Sequence, residues 1–343
     1  MKAGRPTPTL HDVALRAGVS TATVSRCLNS PERVVEPTRR KVLEAVRQLG
    51  YSPNFGARVM AAKRTNTIGA IIPTMENAIF ARGLQAFQEE LRGLGFTLLV
   101  ASSSYRPDLE EEQIRSLVAR GAEGLLLIGH DRDPAIYGFL ETQGVPALVT
   151  WAYDAGADRP SIGFDNRGAM RELARKVIRM GHRRLACISA QTASNDRARA
   201  RVQGIREAMA EAGLNPDDLR LIETPYGIDT GAEAFGRLIA ENDAPTVVMC
   251  GNDVLAVGAL RRARELGLDV PGQVSITGFD DIELAQIAVP TLTTVHVPHR
   301  EMGRSAACAL VALVQGNGPV RGSELKAEIW LRDSLPPRLG GAR

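Results

Sequence analysis

The chain has 343 residues, of which 44% are hydrophobic and 24% are charged, as in ordinary soluble globular proteins. No apolar run reaches the roughly 18 residues that a membrane-spanning helix needs, and the basic N-terminus lacks the apolar core of a secretory signal. We therefore expect a cytoplasmic protein with no membrane partner. The four cysteines lie far apart without a Cys-x-x-Cys pair, which argues against a disulfide framework and against a zinc site.

The net charge of +3 is unevenly distributed along the chain. Residues 1–66 contain 12 Lys and Arg against 4 Asp and Glu, a net charge of +8, whereas the remainder contains 30 against 35, a net charge of −5. A basic segment on a mildly acidic body favours a polyanionic partner for that segment alone. A solvated basic surface would produce the same imbalance.

The first predicted element is a short helix near the N-terminus. Thr9 and Asp12 have the spacing of a capping box variant, in which a hydroxyl and a carboxylate satisfy backbone N–H groups at a helix start. Gly18 suits the left-handed conformation that ends a helix. The apolar face of this helix is formed by Leu10, Val13, Ala14 and Ala17.

A second short helix follows at once. Ser20 is a favourable N-cap residue, and Val24 and Leu28 point to one side. Two short helices joined by a glycine-containing turn form a helix-turn-helix, whose second helix reads base edges in DNA. An ordinary helical hairpin with a polar face would show the same pattern. The residues left exposed are Thr21, Ala22, Ser25, Arg26 and Asn29.

Residues 9–29, TLHDVALRAGVSTATVSRCLN, resemble the headpiece signature of LacI/GalR-type bacterial repressors. The resemblance implies double-stranded operator DNA as a partner and base contacts from Thr21, Ala22 and Arg26. Ala22 offers only a methyl group, whereas a guanidinium can bond guanine in two places. Contacts to the DNA backbone, or support of the reading helix, are implied for Thr23, Ser25 and Asn29. The predicted DNA-binding set also includes Thr9 and Ser20.

The headpiece, residues 1–52, is predicted to end with a third helix. Pro37 suits its first turn, and Val35 or Glu36 stands at the capping position where the family usually has serine or threonine. The apolar stripe of this helix is predicted to be formed by Val42, Leu43, Val46 and Leu49.

Residues 53–66 form a short, basic, alanine-rich segment that is marginal as an isolated helix. The resemblance implies a hinge helix that folds in the DNA minor groove when two subunits pair. Met60 stands where relatives have a leucine that wedges between base steps, and its apolar side chain suits the same task. A plain linker with Met60 packed on the core is the alternative.

From residue 67 onward, short apolar runs alternate with amphipathic helical stretches, which predicts parallel sheets covered by helices. The series occurs twice, so we expect an α/β core of two doubly wound halves with a cleft between them. Phrases such as GNDVLAVGAL and VSITGFDDIELA resemble the periplasmic-binding-protein-like core of LacI/GalR regulators. The predicted subdomains comprise residues 67–164 with 296–322 and residues 165–295 with 323–343.

Ligands of doubly wound sheets bind beyond the carboxyl ends of the strands, which is where the candidate effector residues lie. The resemblance implies that these positions contact a small-molecule effector, with aromatic stacking and with polar groups that bond its hydroxyls. A structural role is the alternative: core packing for the aromatic residues and helix capping for Asp280. The candidates are Ile79, Phe80, Trp151, Arg197, Arg201, Tyr226, Asn252 and Asp280.

Many sugar-responsive relatives have an acid where Trp151 stands. The segment VTWAYD…SIGFDN instead resembles the gluconate-regulator-like branch of the family, in which TWD…GFSN is common. Arg197 and Arg199 also favour an anionic ligand, although runs of charge are usually just solvated. We therefore expect a sugar, a sugar acid or a similar small molecule as effector.

Two other classes of protein fit the sequence less well. An enzyme is disfavoured because the sequence has no phosphate-binding loop, no nucleophile elbow and no HExxH motif. A transport-type binding protein would need a signal peptide and no basic head. The sequence therefore predicts a homodimeric, ligand-responsive transcription regulator, a repressor by preference, with no cofactor and no metal.

Overall fold

The computed structural model describes residues 7–52, 64–76 and 78–335. The chain divides into two compact units, Met1–Thr65 and Asn66–Arg343. The smaller unit is helical. Its elements are α1 (Leu10–Ala17), α2 (Thr21–Asn29), a 3-10 turn (Pro31–Arg33) and α3 (Glu36–Leu49).

The ends of α1 and α2 follow the predicted local signals. The Thr9 hydroxyl accepts the Asp12 backbone N–H, and the Asp12 carboxylate accepts the Thr9 backbone N–H at 2.8 Å, so the capping box is complete. Gly18 takes the left-handed conformation at φ +66° and ends α1. Ser20 caps α2 by accepting the Thr23 backbone N–H at 3.2 Å.

The core of the helical unit differs from the predicted apolar stripe at one position. Leu43 is 41% exposed, whereas Ala45 is buried together with Val42. In a helix of 3.6 residues per turn, position 43 lies about 100° from position 42, while positions 45, 46 and 49 return to its face. The prediction for Leu43 was therefore wrong. The buried residues of this core are Val13, Ala14, Val24, Cys27, Val42 and Ala45.

The first half of the larger unit contains a parallel sheet with the strand order β11-β5-β4-β3-β1-β2. Helices flank the strands in the alternation that the sequence predicted. The elements are β1 (Thr67–Ile72), α4 (Ala78–Gly93), β2 (Thr97–Ser102), α5 (Pro107–Ala119), β3 (Gly124–Ile128), α6 (Pro134–Thr142), β4 (Ala147–Thr150) and β5 (Ser161–Gly163), with β11 (Ser323–Glu324) joining from the C-terminal region.

The second half repeats the plan with a parallel sheet of order β7-β6-β8-β9. The elements are α7 (Asn166–Arg179), β6 (Leu185–Ser189), α8 (Asp196–Glu211), a 3-10 turn (Pro216–Asp218), β7 (Arg220–Glu223), α9 (Ile228–Ile239), β8 (Val247–Cys250), α10 (Asp253–Glu265), β9 (Ser275–Thr277) and α11 (Glu283–Ile287).

The chain passes between the two halves in segments that pair with each other. Strands β10 (Thr294–His296) and β12 (Glu328–Trp330) form an antiparallel pair. Helix α12 (His299–Gln315) returns to the first half and packs along α4. Strand β11 then pairs with β5 in the first sheet, two residues past the limit of 322 predicted for the first subdomain.

Three apolar clusters stabilise the larger unit. One cluster contains residues of both halves, including Phe87, Trp151, Phe164 and Phe279. A second cluster lies within the first half, and a third lies within the second half. None of the helices in the described ranges is long and apolar enough to cross a membrane.

The close approach of α4 and α12 depends on a pair of glycines, Gly83 and Gly303. A Cβ at Gly303 would lie 2.1 Å from the Gly83 carbonyl oxygen, so an alanine there would force the two backbones apart. We predict that Gly303→Ala lowers the free energy of unfolding by about 1–3 kcal/mol, as overpacking does.

The matched control is Gly138→Ala in α6, where a Cβ would meet no atom within 4 Å. Alanine there should stabilise by about 0.5–1 kcal/mol, because it restricts the unfolded chain more than glycine does. Urea unfolding of the two variants checks both signs. Equal effects of the two substitutions would contradict the close-packing account.

Candidate functional site

The exposed face of α2 is the candidate nucleic-acid surface of the helical unit. Thr21, Ala22, Arg26 and Asn29 are exposed, whereas Ser25 is half-buried rather than fully exposed as predicted. The Asn29 side-chain amide donates to the Ser25 hydroxyl at 3.2 Å, which fixes two polar groups on this face. Small residues at the N-terminal end of α2 leave its backbone open to close approach by a base edge.

Three other predicted DNA-contacting residues have structural partners at the helix starts. The Ser20 and Thr23 hydroxyls lie 2.9 Å apart, and Thr9 donates its hydroxyl to Asp12 at 2.7 Å. These contacts position α1 and α2, and the DNA contacts of Thr9, Ser20 and Thr23 stay predictions. Met60 and most of the predicted hinge lie outside the described residues.

The larger unit contains a cavity of about 510 Å³ where strands from both halves end. Its lining follows β1 and β2 in the first half and β6 and β7 in the second, as expected for doubly wound sheets. The lining residues are Thr74, Met75, Glu76, Ser102, Ser104, Tyr105, Ala190, Gln191, Ser194, Asn195, Pro225, Tyr226 and Val254.

Tyr226 lies in this cavity as predicted, and it faces a residue that sequence reasoning missed. The rings of Tyr226 and Tyr105 have centroids 5.7 Å apart, although they come from opposite halves. Burial raises the pKa of both phenols. The signal that could have identified Tyr105 is its place just after β2, in the run SSSYRP.

Arg201 and Asp280 are brought together as a buried pair. Arg201 Nε donates to Asn166 Oδ1 at 2.8 Å, Nη1 donates to the Gly251 carbonyl at 2.5 Å, and the guanidinium lies 3.8 Å from the centroid of the Phe279 ring. Its Nη2 is 3.8 Å from Asp280 Oδ1, which is an ion pair without a hydrogen bond. The guanidinium is thus held rigidly, with Nη2 directed to the carboxylate.

Asp280 differs from the two buried carboxylates near it. Asp253 accepts the Thr294 hydroxyl at 2.6 Å and the Ile282 N–H at 2.8 Å, and Asp281 bonds Arg332 at 2.6 Å and His296 at 2.9 Å. Both oxygens of Asp280 lack a hydrogen-bond donor within the described part of the chain, although the residue is 1% exposed. Burial raises the pKa of Asp280 against the opposing effect of Arg201.

Asn252 and Trp151 each have a buried hydrogen-bond donor without an acceptor among the described residues. Asn252 Oδ1 caps α10 by accepting the Leu255 N–H at 2.9 Å, while its Nδ2 forms no hydrogen bond to any described residue. Trp151 is buried at φ +58° between Phe80 and His299, and its indole Nε1 also forms none in the described ranges. Buried polar groups are nearly always satisfied, so such donors mark places for a ligand or water.

The remaining candidates occupy other positions. Of the eight candidates, Tyr226 alone is a lining residue of the cavity. Ile79 and Phe80 are buried on α4 in the apolar core, and Trp151 belongs to the same core, which agrees with the alternative of core packing for the two aromatic residues.

Arg197 Nη1 donates to Asp196 Oδ1 at 2.9 Å. Asp196 Oδ2 accepts the backbone N–H of His130, which belongs to the other half, at 2.5 Å. Burial by itself would raise the pKa of Asp196, but the charge of Arg197 and the hydrogen bond from the His130 backbone contribute to a net lowering.

A second contact between the halves lies beside the one formed by Asp196 and His130. Arg199 Nη2 donates to Asp131 at 2.6 Å, so the loop after β3 and the start of α8 are joined twice. His130 carries a buried Nε2 without a hydrogen bond inside the described ranges, and burial lowers the pKa of its imidazole. These contacts join the two halves directly.

Comparisons with known proteins identify the family of both parts of the chain. Residues 9–54 match the family of bacterial regulatory proteins, lacI family, and residues 174–335 match a periplasmic binding protein-like domain. The chain is 34% identical over 330 residues to the HTH-type transcriptional regulator GntR of Pseudomonas aeruginosa, covering 95% of both chains.

Solved structures give the same result. A LacI-family transcriptional regulator from Silicibacter pomeroyi has a TM-score of 0.85 at 28% identity and covers 95% of this chain and 98% of its own. The lac repressor dimer bound to operator and the anti-inducer ONPF has a TM-score of 0.84 at 27% identity, covering 96% and 99%. The chain therefore belongs to the LacI family of non-enzymatic, DNA-binding transcription regulators, whose effectors bind in the periplasmic-binding-protein-like domain.

Proposed function

We propose that this regulator binds a near-palindromic operator as a cytoplasmic homodimer and is controlled by a sugar, a sugar acid or a similar polyhydroxyl molecule in the cleft. The observation that carries the effector proposal is the Asp280 carboxylate, which is buried beside Arg201 with no hydrogen-bond donor in the described chain. A buried carboxylate without donors is costly unless a ligand completes its hydrogen bonds.

The unsatisfied polar atoms of Asp280, Asn252 and Trp151 complement hydroxyl groups. A hydroxyl both donates and accepts hydrogen bonds, so the hydroxyl groups of a ligand could donate to Asp280 and accept from Asn252 Nδ2 or Trp151 Nε1. The cavity of about 510 Å³ lies within the usual range for small-molecule sites. Asp280 is not one of its lining residues, but the charge of Asp280 acts on Tyr105, which is. The cavity lining alternates hydroxyl and amide groups with apolar surface, which suits a sugar-sized ligand.

The sugar-acid alternative is supported by the two arginines. Arg201 directs Nη2 toward the site, and Arg197 lies close enough for its charge to act on Asp280. A ligand carboxylate would bind best to a guanidinium in two places. Both cations have a carboxylate neighbour, Asp280 or Asp196, with which an acid would compete.

The DNA-binding proposal places α2 in the major groove. Arg26 is exposed at the middle of this helix and is the longest side chain of the predicted base-reading set. Two headpieces of a homodimer would contact half-sites one helical turn apart. The operator-bound lac repressor dimer, to which the chain is similar over nearly its whole length, supports this arrangement.

Effector control follows if the ligand binds one arrangement of the two halves better than another. The contacts of Asp196 with His130 and of Arg199 with Asp131 join the halves beside the cavity. A ligand that strengthens or breaks these contacts would change how the halves are held. The effector would thereby raise or lower operator affinity, and co-repression is as compatible with this scheme as induction.

Arg26→Ala tests the DNA surface. We predict that it weakens binding to the preferred operator by about 1–3 kcal/mol and relaxes base preference at one position of each half-site, because a bidentate guanine contact is lost. The measurement is operator selection from random duplexes followed by titration at fixed salt. Arg47→Ala removes the same charge from α3, where Arg47 pairs with Glu44, and should leave base preference unchanged. Unaltered preference in Arg26→Ala would exclude it as a base reader.

Asp280→Asn tests the effector site. In the folded chain burial raises the carboxyl pKa above its unfolded value, so the ionised group costs stability once the pH exceeds the unfolded pKa. The variant should therefore melt higher than the wild type near pH 7, with a smaller gain near pH 3. It should also lose the rise in melting temperature that sugars or sugar acids give the wild type.

The matched control is Asp281→Asn, because Asp281 is equally buried and has hydrogen-bond partners in Arg332 and His296. That substitution should lower the melting temperature at pH 7, since it breaks a bonded pair. A ligand response that survives in Asp280→Asn would place the effector elsewhere.

A further inference from the structure

Tyr105 is a cavity residue that stands outside the predicted effector set. It follows β2 in the first half, and its ring packs 5.7 Å from that of Tyr226, which follows β7 in the second half. Both rings line the cavity of about 510 Å³. An aromatic pair at this place offers apolar surface from both sides of the cleft.

The backbone holds Tyr105 at a conformational cost. Ser104 and Tyr105 take φ of +52° and +59°, and Arg106 N–H donates to the Ser103 carbonyl at 2.9 Å, which closes a tight turn. Ser103 N–H donates to the Ile72 carbonyl at 3.0 Å and anchors the turn to β1. Central positions with positive φ normally carry glycine or asparagine. A bulky tyrosine there is an outlier of the kind found at ligand clamps.

The Tyr105 hydroxyl is chemically available. No hydrogen bond joins it to another residue of the described chain, and the charges of Arg197, Arg201 and Asp280 all act on it. Because burial raises its pKa, the phenol is neutral at physiological pH and can donate as well as accept. The ring face and the hydroxyl thus complement a molecule that has both C–H surface and hydroxyl groups.

We propose that Tyr105 is a specificity-determining residue of the effector cleft, which stacks on the C–H face of the ligand beside Tyr226 and bonds one ligand hydroxyl. This assignment rests on the proposed function. The competing role is a purely structural plug between the halves. The two roles differ in their effect on the free protein. If Tyr105 were a structural plug, its replacement would lower the melting temperature. If Tyr105 is a ligand contact, replacing this strained residue with one that tolerates positive φ should not destabilise the fold.

The test uses the full-length chain and the variants Tyr105→Asn and Tyr105→Phe. Asparagine tolerates positive φ, and phenylalanine keeps the ring without the hydroxyl. Tyr153→Phe is the control, because Tyr153 lies in the same half outside the cavity lining. The probe is whichever of D-glucose, D-galactose, D-ribose, D-gluconate and D-glucuronate raises the wild-type melting temperature most, and its dissociation constant is measured by calorimetry.

We expect Tyr105→Asn to melt at or above the wild-type temperature without ligand and to bind the probe about three- to tenfold more weakly, as the loss of an aromatic contact implies. Tyr105→Phe should show a smaller weakening, and Tyr153→Phe none. Wild-type affinity in Tyr105→Asn would overturn the assignment, whether or not its melting temperature fell. If no probe stabilised the wild-type chain, the proposed effector class would fail and the role of Tyr105 would fail with it.

Discussion

The larger unit contains a buried carboxylate, Asp280, that receives no hydrogen bond from the described residues. Asp280 lies at φ +99°, almost fully buried, while its neighbours Asp253 and Asp281 have their hydrogen bonds supplied by the chain. Keeping such a group costs stability, and Arg201, fixed by Asn166 and the Gly251 carbonyl, offsets only part of that cost. The arrangement is reasonable for a site whose missing donors come from a ligand, because preorganised polar groups then bind without rearranging.

In the proposed scheme, the position of this site links ligand binding to the spacing of the two halves. Strand ends from both sheets meet at the cavity, and the contacts Arg199–Asp131, Asp196–His130 and Tyr105–Tyr226 all cross the cleft near it. Each contact is modest, but together they depend on one spacing of the halves. A ligand that fits a different spacing better will shift that equilibrium by its difference in affinity, and by no more. A family of DNA-binding regulators can use such a shift to change operator affinity.

The sequence predicted most where local chemistry decides the structure. The capping box at Thr9, the left-handed Gly18 and the Ser20 cap each depend on a few neighbouring residues, so they could be predicted from the sequence. Leu43 was wrongly placed on the apolar face of α3, because it lies next to the buried Val42 in sequence but about 100° away around the helix. The place of Tyr105 just after β2 was a usable signal, but its left-handed backbone and its contact with Tyr226 depend on the fold. Among the described residues, Asp280 lacks hydrogen-bond donors while Asp253 and Asp281 have them. This difference depends on contacts between residues distant in sequence, so it could not be predicted without the fold.

A regulator of the proposed kind requires that the cleft and the DNA-binding face be thermodynamically coupled. The most direct test measures four dissociation constants at one salt concentration: effector with and without operator, and operator with and without effector. The account predicts that effector changes operator affinity by the same factor by which operator changes effector affinity, and that this factor differs from one. An effector that binds the cleft with a factor of one in both directions would contradict the account, because binding would then have no consequence for DNA.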